Sequence, residues 1–214
     1  MSAPMSDLGI EVMWGRPDPH AATPTLLLGL RITRPEDQPV HALVLRAQIR
    51  IEPQLRRYSP EEEGRLLELF GEAPRWGQTV KPFLWTHVST SVGGFTGSVE
   101  IELPVPCTYD FEVAAAKYLH SLGDGEIPLV LLFSGTIFGH GDGGLAVVPV
   151  GWNVEASHRL PVQVWRDTMD AYFPNSGWIR VPRETLDALT RYKADRALPS
   201  WEEAFERLLK EADS

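Results

Sequence analysis

Leu43-Val44-Leu45-Arg46-Ala47-Gln48-Ile49-Arg50-Ile51-Glu52 is the stretch on which the fold turns. Leu43, Leu45, Ala47, Ile49 and Ile51 alternate with Val44, Arg46, Gln48, Arg50 and Glu52. A period of two sends the first set to one side of a strand and the second to the other. One side is apolar and the other mostly charged. That is an antiparallel strand with one face on a core and one in water.

Working outward, further strands are expected at Gly9–Trp14 and Leu26–Ile32. In the first, Ile10, Val12 and Trp14 fall on one side, and the Pro-rich segment from Gly15 to Pro24 reads as a loop. Phe83–Val92 and Thr96–Leu103 predict a hairpin across Gly93-Gly94. Ile127–Phe138 and Leu145–Val150 predict a second, across the six residues from Gly139 to Gly144. Ile127-Pro128-Leu129-Val130-Leu131-Leu132-Phe133 is apolar on both faces, so it predicts a central strand covered on both sides, with the helical tail as the cover. Phe133-Ser134-Gly135 reads as an interruption of that strand.

Helix signals are local and clear. Ser59-Pro60-Glu61-Glu62 is a capping box with Pro at the first helical position, and Gly71 is a stop. Residues 109–122 read as a strand ending in a short helix, with two helical turns from Ala114 as the alternative. From about residue 155 the pattern becomes helical: Pro161–Tyr172, a helix opened by Pro182, and a last one opened by a second capping box at Ser200-Trp201-Glu202-Glu203. The expected fold is therefore mainly β: an antiparallel immunoglobulin-like β-sandwich with an inserted helix and a C-terminal helical subdomain. Residues 1–8 are expected to be disordered, 9–154 to form the sandwich body, and 155–214 to form a helical subdomain packed on it.

Composition narrows the function. The 214 residues carry a net charge of −9 with no basic stripe, so nucleic acid is not an expected partner. The longest apolar run is too short to span a bilayer and no leader pattern opens the chain, so no membrane partner and a cytoplasmic location are expected. The single Cys, Cys107, follows Pro104-Val105-Pro106 and reads as a small apolar residue at a strand end.

Six His residues are scattered without ligand spacing, so no metal or other cofactor is expected. Gly139-His140-Gly141-Asp142-Gly143-Gly144 resembles one turn of a glycine-aspartate calcium repeat, but such sites need stacked copies. If a metal were present, His140 and Asp142 would be its first candidates. Glu100 and Glu102 share one strand face and read as solvated. No nucleophile elbow is present. Trp85, Trp152 and Trp165 lie in apolar surroundings and read as core. The segment Phe173-Pro174-Asn175-Ser176-Gly177-Trp178 is a rigid turn between helices. Phe173, Pro174, Asn175 and Trp178 are the candidate protein-contact residues; the alternative is that both aromatics fold inward.

Lys117-Tyr118-Leu119, Ile127-Pro128-Leu129, Phe133-Ser134-Gly135-Thr136, the segment Tyr172 to Trp178 and Ser200-Trp201-Glu202-Glu203-Ala204 together resemble an uncharacterised bacterial family of about this length. It is a domain of unknown function whose genes are often found near uptake nickel-iron hydrogenase genes. The resemblance spans roughly residues 25–210. It implies a hydrogenase-linked accessory role and carries no catalytic residues. The chain itself has no Cys-x-x-Cys and no His-rich tract for handling nickel or iron–sulfur clusters. The expected function is a non-catalytic interaction or assembly protein with another protein as partner. A small-molecule or carbohydrate binder with a Trp-lined groove is the alternative, and an enzyme comes third.

Overall fold

A computed structural model describes residues 7–107, 114–141, 144–174 and 180–213. The chain divides into two compact units, Met1–Trp178 and Ile179–Ser214. The first is mainly β. Its strands are β1 (Gly9–Pro17), β2 (Thr25–Thr33), β3 (Val40–Ile51), β4 (Phe83–Val92), β5 (Ser98–Pro106), β6 (Glu126–Gly141), β7 (Gly144–Pro149) and β8 (Glu155–Pro161). Its helices are α1 (Pro60–Phe70), the short α2 (Trp76–Thr79), α3 (Ala114–Ser121) and α4 (Val162–Tyr172). The second unit is a pair of helices, α5 (Arg183–Asp195) and α6 (Trp201–Ala212).

All strand pairing is antiparallel. One sheet runs β1-β2-β5; the other runs β4-β3-β6-β7, with β8 also on β6. As the alternation demands, Leu43, Leu45, Ala47, Ile49 and Ile51 are buried. They join Ile10, Val12, Leu28, Leu30 and Ile32 of the other sheet, and Leu129, Leu131 and Phe133 of β6, in one hydrophobic cluster. Each such side chain contributes on the order of 1.5–3 kcal/mol by leaving water. Helix α1 begins as its signature predicts. Ser59 Oγ accepts from the Glu62 N–H, and the Glu62 carboxylate accepts from the Ser59 N–H. In α6 only half of the expected box forms, Ser200 Oγ accepting from the Glu203 N–H.

Several expectations change. Phe83–Val92 and the following strand are not a hairpin. β4 pairs with β3 in one sheet and β5 with β2 in the other, so the Gly93-Gly94 segment carries the chain between sheets. Phe95 pins that crossing by exchanging both backbone hydrogen bonds with Val40. β1 continues to Pro17, into the expected loop, with a register shift between Val12 and Trp14. The extra residue puts Trp14 opposite Gly29 while Ile10 and Val12 face the core. A Cβ on Gly29 would lie only 2.2 Å from the Trp14 ring, so the indole lies against bare backbone.

Residues 155–161 form β8 and belong to the first unit with α4, so the body does not end at residue 154. Leu8, expected in a loose terminus, is buried in the core, where its apolar side chain enters just before β1. β6 runs unbroken through Gly135. It is central, as predicted, but its second face is only half covered: Val130 and Leu132 stay half-buried opposite Arg50 and Gln48 of β3. Ala114–Ser121 is helical, and the strand expected at 109–113 lies outside the described residues.

His120 and His158 give the first unit a pH signature. His120 packs edge-on against Trp165, ring centres 4.6 Å apart, and burial pushes its pKa down to about 4. Burial also lowers His158, against a hydrogen bond to the Val12 backbone and the charge of Glu126. Unfolded, both take up protons near their ordinary 6.5; folded, they resist. Their stabilising contribution is therefore complete above about pH 6.5 and falls as pH drops toward 4. Urea melts at pH 7.5 and 5.5 are expected to show lower stability at 5.5, with a smaller difference in the His120→Gln, His158→Gln double variant. Equal midpoints for the wild type at both pH values would contradict this.

Candidate functional site

Of the sequence-predicted contact residues, Phe173 and Pro174 directly follow α4. Phe173 is half-buried, and its N–H donates to the Met169 carbonyl at 2.7 Å. Pro174 is exposed, while Asn175 and Trp178 lie outside the described residues. The Tyr172 hydroxyl donates to the Ala21 carbonyl, tying the end of α4 to the β1–β2 connection.

The three tryptophans read as core have different surroundings. Trp165 is buried, Trp85 is half-buried, and Trp152, expected in the core, is 92% exposed in the turn between β7 and β8. Glu100 and Glu102 are ion-pair partners, Glu100 to Arg31 at 2.9 Å and Glu102 to Arg16 at 2.7 Å, on the outer face of the smaller sheet. Cys107 is buried, and burial pushes its thiol up to about 12, which removes it as a nucleophile at neutral pH.

One polar cluster is fully built. Glu62 accepts from Arg56 Nη2 at 2.8 Å, from the Gly123 N–H at 2.6 Å and from the Ser59 N–H at 3.0 Å. Both side chains of this ion pair are nearly inaccessible. Beside it the Tyr118 and Tyr58 hydroxyls lie 2.9 Å apart. The Tyr58 hydroxyl donates to the Pro53 carbonyl at 2.7 Å, which leaves it to accept from Tyr118. Burial drives both phenols up, Tyr118 to about 12. Neither supplies a proton or a base near neutrality. The cluster joins α1 to the α3–β6 connection, and its groups are satisfied by one another.

Unsatisfied surface lies elsewhere. In the second unit, α6 exposes Trp201, Phe205 and Leu209 at 39%, 39% and 67%. Their spacing of four residues sets them along one stripe. The Trp201 and Phe205 rings are stacked, 6.0 Å between centres. Of the side chains of α5 and α6, only Ala204 is buried. The last turn of α6 carries the ion pair Arg207–Glu211.

A second exposed surface is on the outer face of the larger sheet. Register places Ala42, Phe138 and Val147 side by side across β3, β6 and β7. Val44, Val147 and Leu145 are 51%, 58% and 70% exposed. At the same end, His41 Nε2 and His140 Nδ1 approach to 3.1 Å. Sequence spacing did not reveal this pair, because 99 residues separate the two and only the β3–β6 ladder brings them together. Asp142 lies outside the described residues. Among the described residues no group of three or more His, Cys, Asp or Glu side chains is placed to hold a metal ion, and no helix is long and apolar enough to cross a membrane.

No curated protein and no solved structure matches this chain. Residues 5–214 match a family of unknown function, DUF6084. The match covers nearly the whole chain, strands and helices alike, so the protein belongs to that family.

Proposed function

We propose that this protein is a non-catalytic interaction or assembly protein whose contact surface is the apolar stripe of α6. The observation that carries the reading is the exposure of Trp201, Phe205 and Leu209 on a helix pair that buries only Ala204. Large aromatics left at a surface are the residue types that anchor protein contacts. The row Ala42, Phe138 and Val147 offers the first unit a second, smaller contact face.

The strand order supports reading the first unit as an immunoglobulin-like sandwich. With the strands lettered in that fold's scheme, β1-β2-β5 takes the place of A-B-E and β4-β3-β6-β7 that of C′-C-F-G, with β8 continuing the last edge. The hydrogenase-linked role rests on the family resemblance, and the same experiment addresses it. A small-molecule reading rests on a different observation, a cavity of 170 Å³ beside His140. No tryptophan lines it, so it gives no support to a sugar-stacking groove.

The test is affinity purification of the full chain from its native cell, with mass spectrometry, against a variant carrying Trp201→Ser, Phe205→Ser and Leu209→Ser. The expected result is a specific partner set, hydrogenase components among it, that is lost in the variant while the melting temperature of the first unit holds. Identical captures by both proteins would sink the α6 assignment. A partner set without hydrogenase components would sink that part of the reading alone.

A further inference from the structure

We infer that Arg34, with His140 and Gln38, forms a binding site for a carboxylate group at the end of the larger sheet. Arg34 follows β2, and its backbone N–H is held by the Gly97 carbonyl at 2.8 Å. Its guanidinium lies over Gly139 of β6. A Cβ there would meet the Pro39 carbonyl oxygen at 3.1 Å and would stand in ordinary contact with Nη1, at 3.6 Å, which places the cation directly above the strand. The chain has 29 acidic residues against 20 Lys and Arg. Among the described residues Arg34 nevertheless forms no ion pair, and its Nε is buried without a hydrogen-bond partner. A buried donor left unmade is costly, and a guanidinium is the group whose fork matches a carboxylate with two parallel hydrogen bonds.

The cavity beside it is shaped for a small group. It measures 170 Å³ and is lined by Gln38, Asp37 and His140 as well as by Arg34. That is below the volume of ordinary metabolite sites, roughly 300–1,000 Å³, and suits one acidic group with a few attached atoms. His140 arrives oriented, because its Nδ1 is engaged with His41 Nε2 at 3.1 Å. Gln38, another lining residue, carries an amide able to donate. Asp37, also a lining residue, bears on the choice of oxyanion: a carboxylate there would oppose a phosphate dianion more than a carboxylate monoanion and could accept from a hydroxyl or amide N–H on the ligand. A carboxylate beside such a donor is found on small hydroxy acids and at the C-terminus of a peptide.

The test is NMR on the full chain, following the arginine Nε–H and histidine Cε1–H resonances during titration with sodium acetate at constant ionic strength. Saturable shifts of Arg34 and His140 are expected, with a Kd on the order of 1–10 mM for so small a probe. They are expected to vanish in Arg34→Gln, whose backbone spectrum should otherwise match the wild type. N-acetylglycine against N-acetylglycinamide separates the sources: tighter binding of the acid than of acetate assigns a peptide C-terminus, and equal binding assigns a small free acid. Shifts that do not saturate, shifts that persist in Arg34→Gln, or tighter binding of inorganic phosphate than of acetate would overturn the assignment. Should Arg34→Gln fail to fold, the acetate titration of the wild-type chain decides alone.

Discussion

Replacing Gly135 with alanine is expected to cost about 4 kcal/mol or more, among the largest effects a single methyl can produce. Gly135 lies in β6 opposite Leu45 of β3, with φ at +154°. An added Cβ would sit 2.0 Å from the Val44 carbonyl oxygen and 3.2 Å from the Leu45 Cα. Those atoms are backbone of the neighbouring strand and cannot turn aside as a side chain would. The central β3–β6 ladder must therefore open, and it is the ladder that carries Leu43, Leu45 and Ile137 into the core. The site is also where the edge of the sheet changes hands. Phe133 N–H bonds to Val154, Gly135 accepts from the Val150 N–H at 3.0 Å, and β7 pairing begins at Thr136. Urea melts provide the measurement, and a midpoint within error of the wild type would refute the prediction. Gly64→Ala is the matched control. It lies inside α1 with nothing within 4 Å of the new methyl, and it is expected to stabilise by about 0.5–1 kcal/mol.

Glu62→Ala is expected to cost about 3–5 kcal/mol, because it breaks a buried ion pair from one side. Arg56 would remain enclosed without its carboxylate, and the N–H groups of Gly123 and Ser59 would lose their acceptor. Burial pushes the Glu62 carboxyl up, but the Gly123 and Ser59 N–H groups and the Arg56 guanidinium outweigh it and hold it below its ordinary value. The unfolded chain therefore binds this proton first. The stabilisation is whole above about pH 4.5 and is lost as pH falls through the lower folded value. Glu62→Gln keeps one acceptor oxygen and loses the charge, so it should fall between Ala and wild type. Urea melts at pH 7 and pH 4 for the three proteins check both points. Equal stability of Glu62→Ala and wild type at pH 7 would show that the network does not hold α1 in place.

The histidine pair shows why the candidate sites were hard to read from sequence. His41 and His140 each sit alone in the chain, and neither matches a ligand spacing. They meet because β3 and β6 are neighbours with Val40 opposite Gly139, a register that no local signal specifies. Arg34 likewise reads as one more charged residue after a strand. Its lack of an acidic partner becomes visible only when the chain is folded. The stripe of α6 was different. Phe205 and Leu209, four residues apart, share one side of the last helix in the sequence alone, but an amphipathic pattern looks the same whether its face is buried or bare.

What the chain determined by itself is its local grammar. The alternation from Leu43 to Ile51, the capping box at Ser59, the stop at Gly71 and the central position of the Ile127–Phe133 run all follow from interactions within a few residues, or from side-chain polarity alone. Tertiary structure decided everything that depends on which strand lies beside which. It sent β4 and β5 to different sheets although they looked like a hairpin, because alternation marks a buried face and does not name a partner. It turned Trp14 opposite Gly29 through one extra residue in β1, since a one-residue slip reverses every later side chain. It made Glu155–Pro161 a strand, although only Ala156 and Leu160 there are fully buried, because β6 offered an unpaired edge on which backbone hydrogen bonds could close.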